Sequence, residues 1–182
     1  MEMNFCRRCG KLLEHSANHV YRCSNGHTIY ANHSPAAGIF FVSDDNSKVL
    51  LTTRGIAPNK GAFGIPGGFL DTKETFEEGA IREVREEIGL EATDYGPLVY
   101  LTSEHDTYIY QNEEIPVVTI LFWARLQDNT KAQPKGEVDS LSWHPLDSID
   151  LAKIGSQDIR TGILALQKVM LHNQLNKEYE NV

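Results

Sequence analysis

Glu83, Glu86 and Glu87 stand at i, i+3 and i+4 within residues 68–90, G-F-L-D-T-K-E-T-F-E-E-G-A-I-R-E-V-R-E-E-I-G-L. In a helix those offsets stack three carboxylates on one face. Phe76, Ala80, Val84 and Ile88 recur every four residues and form its buried stripe. Like charges this close repel, so the acidic face costs stability unless a cation sits on it. A set made only of carboxylates suits hard divalent ions such as Mg²⁺ or Mn²⁺ rather than zinc. Mg²⁺ held by a few carboxylates shares its other positions with water and substrate phosphates. The segment therefore points to metal-assisted chemistry on a phosphate compound. Asp71 with Glu74 predicts a capping-box start near Asp71 or Thr72, and Gly89 a C-terminal stop. Gly79 falls on the acidic face, where a missing side chain leaves room for metal or phosphate, or else allows close packing.

All three cysteines lie before residue 24, an odd count that a disulfide framework would leave with one unpaired. Cys6-x2-Cys9 followed by Cys23-x3-His27 instead fits a closed structural zinc site of Cys3His type. His27 fits best as fourth ligand, with His15 and His19 as competitors. A segment of about 34 residues cannot build a sufficient apolar core and needs such a staple. A surface Cys-x-x-Cys redox pair is the bland alternative. The division expected is residues 1–34 as the ribbon and 35–182 as the main domain, with Pro35 at the junction.

The 182-residue chain carries a formal net charge of −8. Residues 1–34 are net +2 and the remainder −10, which argues against a generic nucleic-acid binder. No apolar run approaches the roughly 20 residues of a membrane span, and no apolar leader follows Met1, so a cytoplasmic protein is expected.

A-A-G-I-F-F-V and V-L-L-T-T-R read as two strands joined by the turn S-D-D-N-S-K. Further strands are expected at Leu98–Ser103, Thr107–Gln111, Val117–Leu126 and Val138–Trp143. In the third of these Val118, Ile120, Phe122, Ala124 and Leu126 share a face. Leu146–Ile149 reads as a helical turn. Ser156 opens a last helix whose Ile159, Ile163, Leu166 and Met170 form an apolar stripe for the sheet or, secondarily, a homodimer contact. Strands mixed with two helices suggest a layered α/β/α sandwich.

The segment 68–90 also resembles the Nudix box, G-x5-E-x7-R-E-U-x-E-E-x-G-U with U apolar. Gly68, Glu74, Arg82, Glu83, Val84, Glu86, Glu87, Gly89 and Leu90 fill its fixed positions. The resemblance implies an α/β fold, a Nudix-type α/β/α sandwich around a mixed sheet, here with a small N-terminal zinc ribbon. It implies a metal-dependent pyrophosphatase that cleaves a nucleoside diphosphate linked to a moiety X, by water attack at phosphorus. Glu83, Glu86 and Glu87 would hold Mg²⁺ or Mn²⁺, and Arg82 would orient Glu74 or Glu86. Glu137 is the candidate later carboxylate, with Asp139 and Glu114 in competition. Gly67 and Gly68 let the backbone approach, and the Gly68 carbonyl can complete a metal shell. Arg54 can meet a substrate phosphate.

A ribbon before a Nudix domain resembles the NADH pyrophosphatase arrangement, yet T-S-E-H-D-T-Y-I-Y stands where those enzymes carry S-Q-P-W-P-F-P-x-S. X is left open among ADP-ribose, NAD(H), FAD and dinucleoside polyphosphates. Two rivals remain: a non-catalytic Nudix-like nucleotide binder, and a zinc-ribbon interaction protein using Arg7, Arg8, Lys11 and Arg22.

Overall fold

The computed structural model describes residues 3–126 and 131–180, with side chains up to residue 172. The chain forms two compact units, Met1–Ser34 with Thr107–Val117, and Pro35–Asp106 with Val118–Val182.

In the first unit β1 (Leu13–Ala17), β2 (Val20–Cys23) and β3 (Thr28–Tyr30) form an antiparallel sheet in that order. Its core is Cys6, Cys23 and Ile29, flanked by Met3, Leu13 and Tyr21. So few buried side chains cannot offset the entropy of ordering the segment without a covalent or metal staple.

The second unit is built on β4 (Ser34–Val42), β5 (Lys48–Arg54), β6 (Phe63–Gly64), β7 (Gly67–Phe69), α1 (Phe76–Ile88), β10 (Val138–Pro145), α2 (Gln157–Glu180) and the parts of β8 (Val99–Tyr110) and β9 (Glu113–Arg125) that lie outside Thr107–Val117. The sheet order is β10-β5-β4-β9-β8, with β6 on β5 and β7 on β4. The β4–β5 turn closes on Asp45, which accepts from Ser43 Oγ (2.6 Å), Ser47 N (3.0 Å) and Ser47 Oγ (2.7 Å).

Ile39, Phe40, Phe41 and Val42 are all fully buried because β4 has a core on each face. Ile39 and Phe41 join Leu50, Phe122, Val84 and Ile88 on the α1 side. Phe40 and Val42 join Val49, Leu51, Leu121, Ile163, Leu166 and Met170 on the α2 side. Each such side chain contributes about 1.5–3 kcal/mol when withdrawn from water. This is the expected α/β/α layering. The apolar stripe of α2, with Ile163, Leu166 and Met170, packs on the sheet. Gly162 lets α2 settle closely, since a Cβ there would lie 2.6 Å from Leu121 Cδ1 and 2.8 Å from Phe40 Cε2.

Some elements differ from expectation. β9 is buried on both faces, with Leu121 and Trp123 packing opposite Phe122 and Ala124. The two short strands expected after α1 are one, β8, because backbone pairing with β9 carries the chain through the polar Ser103–Asp106 stretch. Leu146–Ser148 is a 3-10 turn, as expected. Among the described residues no helix is long and apolar enough to cross a membrane.

Candidate active site and metal centre

α1 starts at Phe76, not near Asp71. Thr75 is the N-cap: its Oγ1 accepts from Glu78 N (3.2 Å), and Glu78 Oε2 accepts from Thr75 N (2.9 Å), a reciprocal capping box. Asp71 and Glu74 form a separate turn just before it, in which Glu74 Oε2 accepts from Asp71 N at 2.8 Å. Gly89 ends the helix in the left-handed region at φ 70°.

That earlier turn delivers Glu74 to Arg82. Arg82 donates from Nε to Glu74 Oε1 (2.8 Å) and from Nη2 to Glu74 Oε2 (3.0 Å), a bidentate pair. Its Nη1 reaches Glu83 Oε1 (2.8 Å) and Glu86 Oε2 (3.2 Å), and Nη2 also donates to the Phe69 carbonyl (2.9 Å). Arg82 thus hydrogen-bonds three acids where one of two was expected, and Asp71 Oδ2 lies 3.8 Å from its Nε as a fourth. Its bonds to Glu74, then to Glu83, push its own pKa further up. They hold Glu74 below the usual carboxylate range.

β7 lies along the acidic face. Glu87 Oε2 accepts from Gly67 N at 3.0 Å. A Cβ on Gly68 would stand 2.5 Å from Glu83 Oε1, so only glycine admits that carboxylate. Burial raises the pKa of Glu83 despite Arg82. Burial, then the charges of Glu83 and Glu137, push Glu87 up to about 7 against the Gly67 N–H and Arg54. Gly79 is buried, its Cβ position 3.1 Å from Leu70 Cγ and 3.3 Å from Glu74 Oε2. The close-packing reading of Gly79 therefore holds, and the space for metal or phosphate is absent.

Glu137 reaches this end of α1 through the residues before it. Gln133 N donates to Ile88 O (2.9 Å) and Lys135 N to Glu87 O (2.8 Å), satisfying carbonyls the helix end leaves open. The Lys135 side chain lies over Gly89, its Nζ 2.7 Å from that residue's Cβ position, where a cation suits the helix C-terminus. Gly55 N donates to Glu137 O at 2.7 Å, and Arg54 Nη2 meets Glu137 Oε2 at 3.0 Å. Of the competing acids, Asp139 follows on β10 and Glu114 lies in the Thr107–Val117 segment of the other unit. Gln133 and Lys135 were not expected here, since nothing local in A-Q-P-K-G-E marks a helix 45 residues earlier as its partner.

Glu83 and Glu86 thus gather on Arg82 while Glu87 turns to Gly67. The site offers oxygen donors only, and excess negative charge in a half-buried setting. That donor set fits a hard divalent ion, which would draw the three side chains towards one point.

In the first unit the ligand atoms of Cys6, Cys9, Cys23 and His27 all lie within 4.8 Å of one another. Cys6 Sγ to His27 Nδ1 is 3.6 Å and Cys9 Sγ to Cys23 Sγ 3.7 Å. A tetrahedral site with 2.3 Å metal–sulfur bonds has an S···S edge of about 3.8 Å, so the group can hold a metal ion. His15 instead bonds Asn18 O and packs on Tyr21, and His19 packs on Tyr30.

The NUDIX domain model matches residues 32–164, so the chain belongs to the Nudix family. It is 43% identical over 56 residues, 31% of this chain and 33% of the relative, to an ADP-ribose pyrophosphatase of Methanocaldococcus jannaschii. It is 34% identical over 102 residues, 56% of this chain and 28% of the relative, to the human mitochondrial NAD(P)H pyrophosphatase NUDT13. The chain thus spans a third or less of the length of these two curated relatives. The crystal structure of a NUDIX hydrolase from Nitrosomonas europaea superposes with TM-score 0.63 at 25% identity, covering 88% of each chain.

Proposed function

We propose that the protein hydrolyses the pyrophosphate linkage of a nucleoside diphosphate-X compound. ADP-ribose and NAD(H) head the candidates, after the activities named for its relatives, with FAD and dinucleoside polyphosphates behind. Glu83, Glu86 and Glu87, with the Gly68 carbonyl, would hold Mg²⁺ or Mn²⁺. When bound, that ion neutralises phosphate charge and acidifies a water. Arg82 orients the carboxylates, Arg54 meets a phosphate, and Glu137 is the further carboxylate beside Glu87. Water adds across the P–O–P bridge, giving a nucleoside monophosphate and phosphorylated X.

The observation that carries this reading is Glu87: a half-buried carboxylate, flanked by other acids, with one backbone N–H as its hydrogen-bond donor. Such a charge calls for a cation. Residues 1–34 would be a zinc ribbon and 35–182 the Nudix domain with its C-terminal helix. Thiolate zinc ligands suit a reducing compartment, the cytoplasm. The test is a panel of nucleoside diphosphate compounds with Mg²⁺ or Mn²⁺, products identified by mass. The expected result is nucleoside monophosphate from at least one compound; no anhydride cleavage with either metal would overturn it.

A further inference from the structure

Arg54 is engaged on both sides at the base of the loop between β5 and β6. Its backbone closes that loop, with Arg54 N donating to Ala62 O (2.9 Å) and Gly61 N to Arg54 O (2.8 Å). Its Nε donates to Pro58 O at 2.7 Å, while Nη2 pairs with Glu137 at 3.0 Å. The side chains of Arg54 and Glu137 are 29% and 53% exposed, so water screens the ion pair. A pair of that kind favours its closed form by no more than a factor of about 5. A phosphate offers the same guanidinium a more highly charged, two-oxygen acceptor. The backbone of Glu137 stays fixed through Gly55, so losing Arg54 would release its carboxylate alone. Both residues lie close enough to Glu87 to act on it electrostatically.

We infer that Arg54 is exchanged on substrate binding: it leaves Glu137 for a substrate phosphate, and so frees the Glu137 carboxylate as the nucleotide arrives. The inference rests on the proposed pyrophosphate chemistry of this site. It makes Glu137 a competitor of the substrate for Arg54, so removing the Glu137 charge should tighten phosphate binding through Arg54.

The experiment is a double-mutant cycle with imidodiphosphate, a non-hydrolysable pyrophosphate, titrated calorimetrically into the full chain. Dialysis against buffer without Mg²⁺ or Mn²⁺, with no chelator, keeps the carboxylate site free of added metal and leaves the Cys3His group undisturbed. Glu137→Gln should tighten binding by about 2–5-fold when Arg54 is present. In the Arg54→Gln background, which keeps a donor for Pro58 O, the same change should have no effect. Arg54→Met gives the cycle a second background should Arg54→Gln not fold. Equal tightening with and without Arg54 would mean plain charge repulsion and would overturn the exchange. So would no tightening, or no binding to the wild-type chain at millimolar ligand. The reading of the reaction itself fails separately, on absent turnover in the metal-containing nucleotide panel.

Discussion

Gly68→Ala isolates what the acidic face requires of β7. Gly68 does not occupy the left-handed region, so its backbone tolerates alanine and the whole cost is contact. The new Cβ would stand 2.5 Å from Glu83 Oε1, 2.8 Å from Cδ and 3.2 Å from Oε2. The carboxylate must retreat by about 1 Å to reach ordinary contact. That retreat breaks its 2.8 Å bond to Arg82 Nη1, while Arg82 keeps Glu74 and the Phe69 carbonyl. Loss of one charge-assisted hydrogen bond between these poorly exposed groups costs about 1–3 kcal/mol. A 1 Å displacement of a group that positions a reaction lowers its rate by roughly 10²-fold. Gly67→Ala is the contrast. Its Cβ would meet Ala37 O at 2.5 Å and Gly38 Cα at 2.7 Å, backbone atoms of a central strand that cannot rotate aside. It should therefore lose folding stability first. Urea unfolding and kcat on a compound that the nucleoside diphosphate panel shows to be cleaved separate the two. If Gly68→Ala turned over within a few-fold of wild type, or lost as much stability as Gly67→Ala, the reasoning would be wrong.

Glu87→Gln keeps an oxygen for the Gly67 N–H but removes the half-buried charge. It should lower kcat by at least about 10²-fold without lowering the melting temperature, and near-wild-type turnover would show the site to be misassigned. Protein purified without added zinc should carry one zinc per chain by elemental analysis, and Cys9→Ser should carry less; a wild-type stoichiometry near zero would reject the ribbon site. Asp45, held down to about 2 chiefly by Ser43 and then Ser47, has a folded pKa below its ordinary value. Its contribution is therefore present above about pH 4 and lost as pH falls through about 2. Melting temperatures from pH 5 to 2 should show a shallower acid decline in Asp45→Asn, and parallel curves would count against this role.

The acidic helix was legible because a period of 3.6 sorts Glu83, Glu86 and Glu87 from Val84 and Ile88 with no outside help. Its start was not, because D-T-K-E and T-F-E-E both offer a capping pair four residues apart. Only the contact of Glu74 with Arg82 decides that the first pair becomes a turn. S-E-H-D interrupts the alternation along β8 and so divides it in two in the sequence pattern, which backbone pairing overrides. The Cys3His group could be read from spacing, but the choice of His27 over His15 and His19 needed the turn after Cys23. The link between Arg54 and Glu137 spans 83 residues of sequence and follows from the pairing of Val138 with Arg54 between β10 and β5, which no local pattern reveals. Gln133 and Lys135 escaped for the same reason.

The polypeptide passes between its two units at Ser34/Pro35 and again on either side of Thr107–Val117. Excising the first 34 residues is therefore not a clean cut. A shortened protein beginning at Pro35 would keep the end of the β8–β9 hairpin but lose everything that end is grouped with. Anyone grafting the Nudix portion elsewhere should trim that hairpin in the same step.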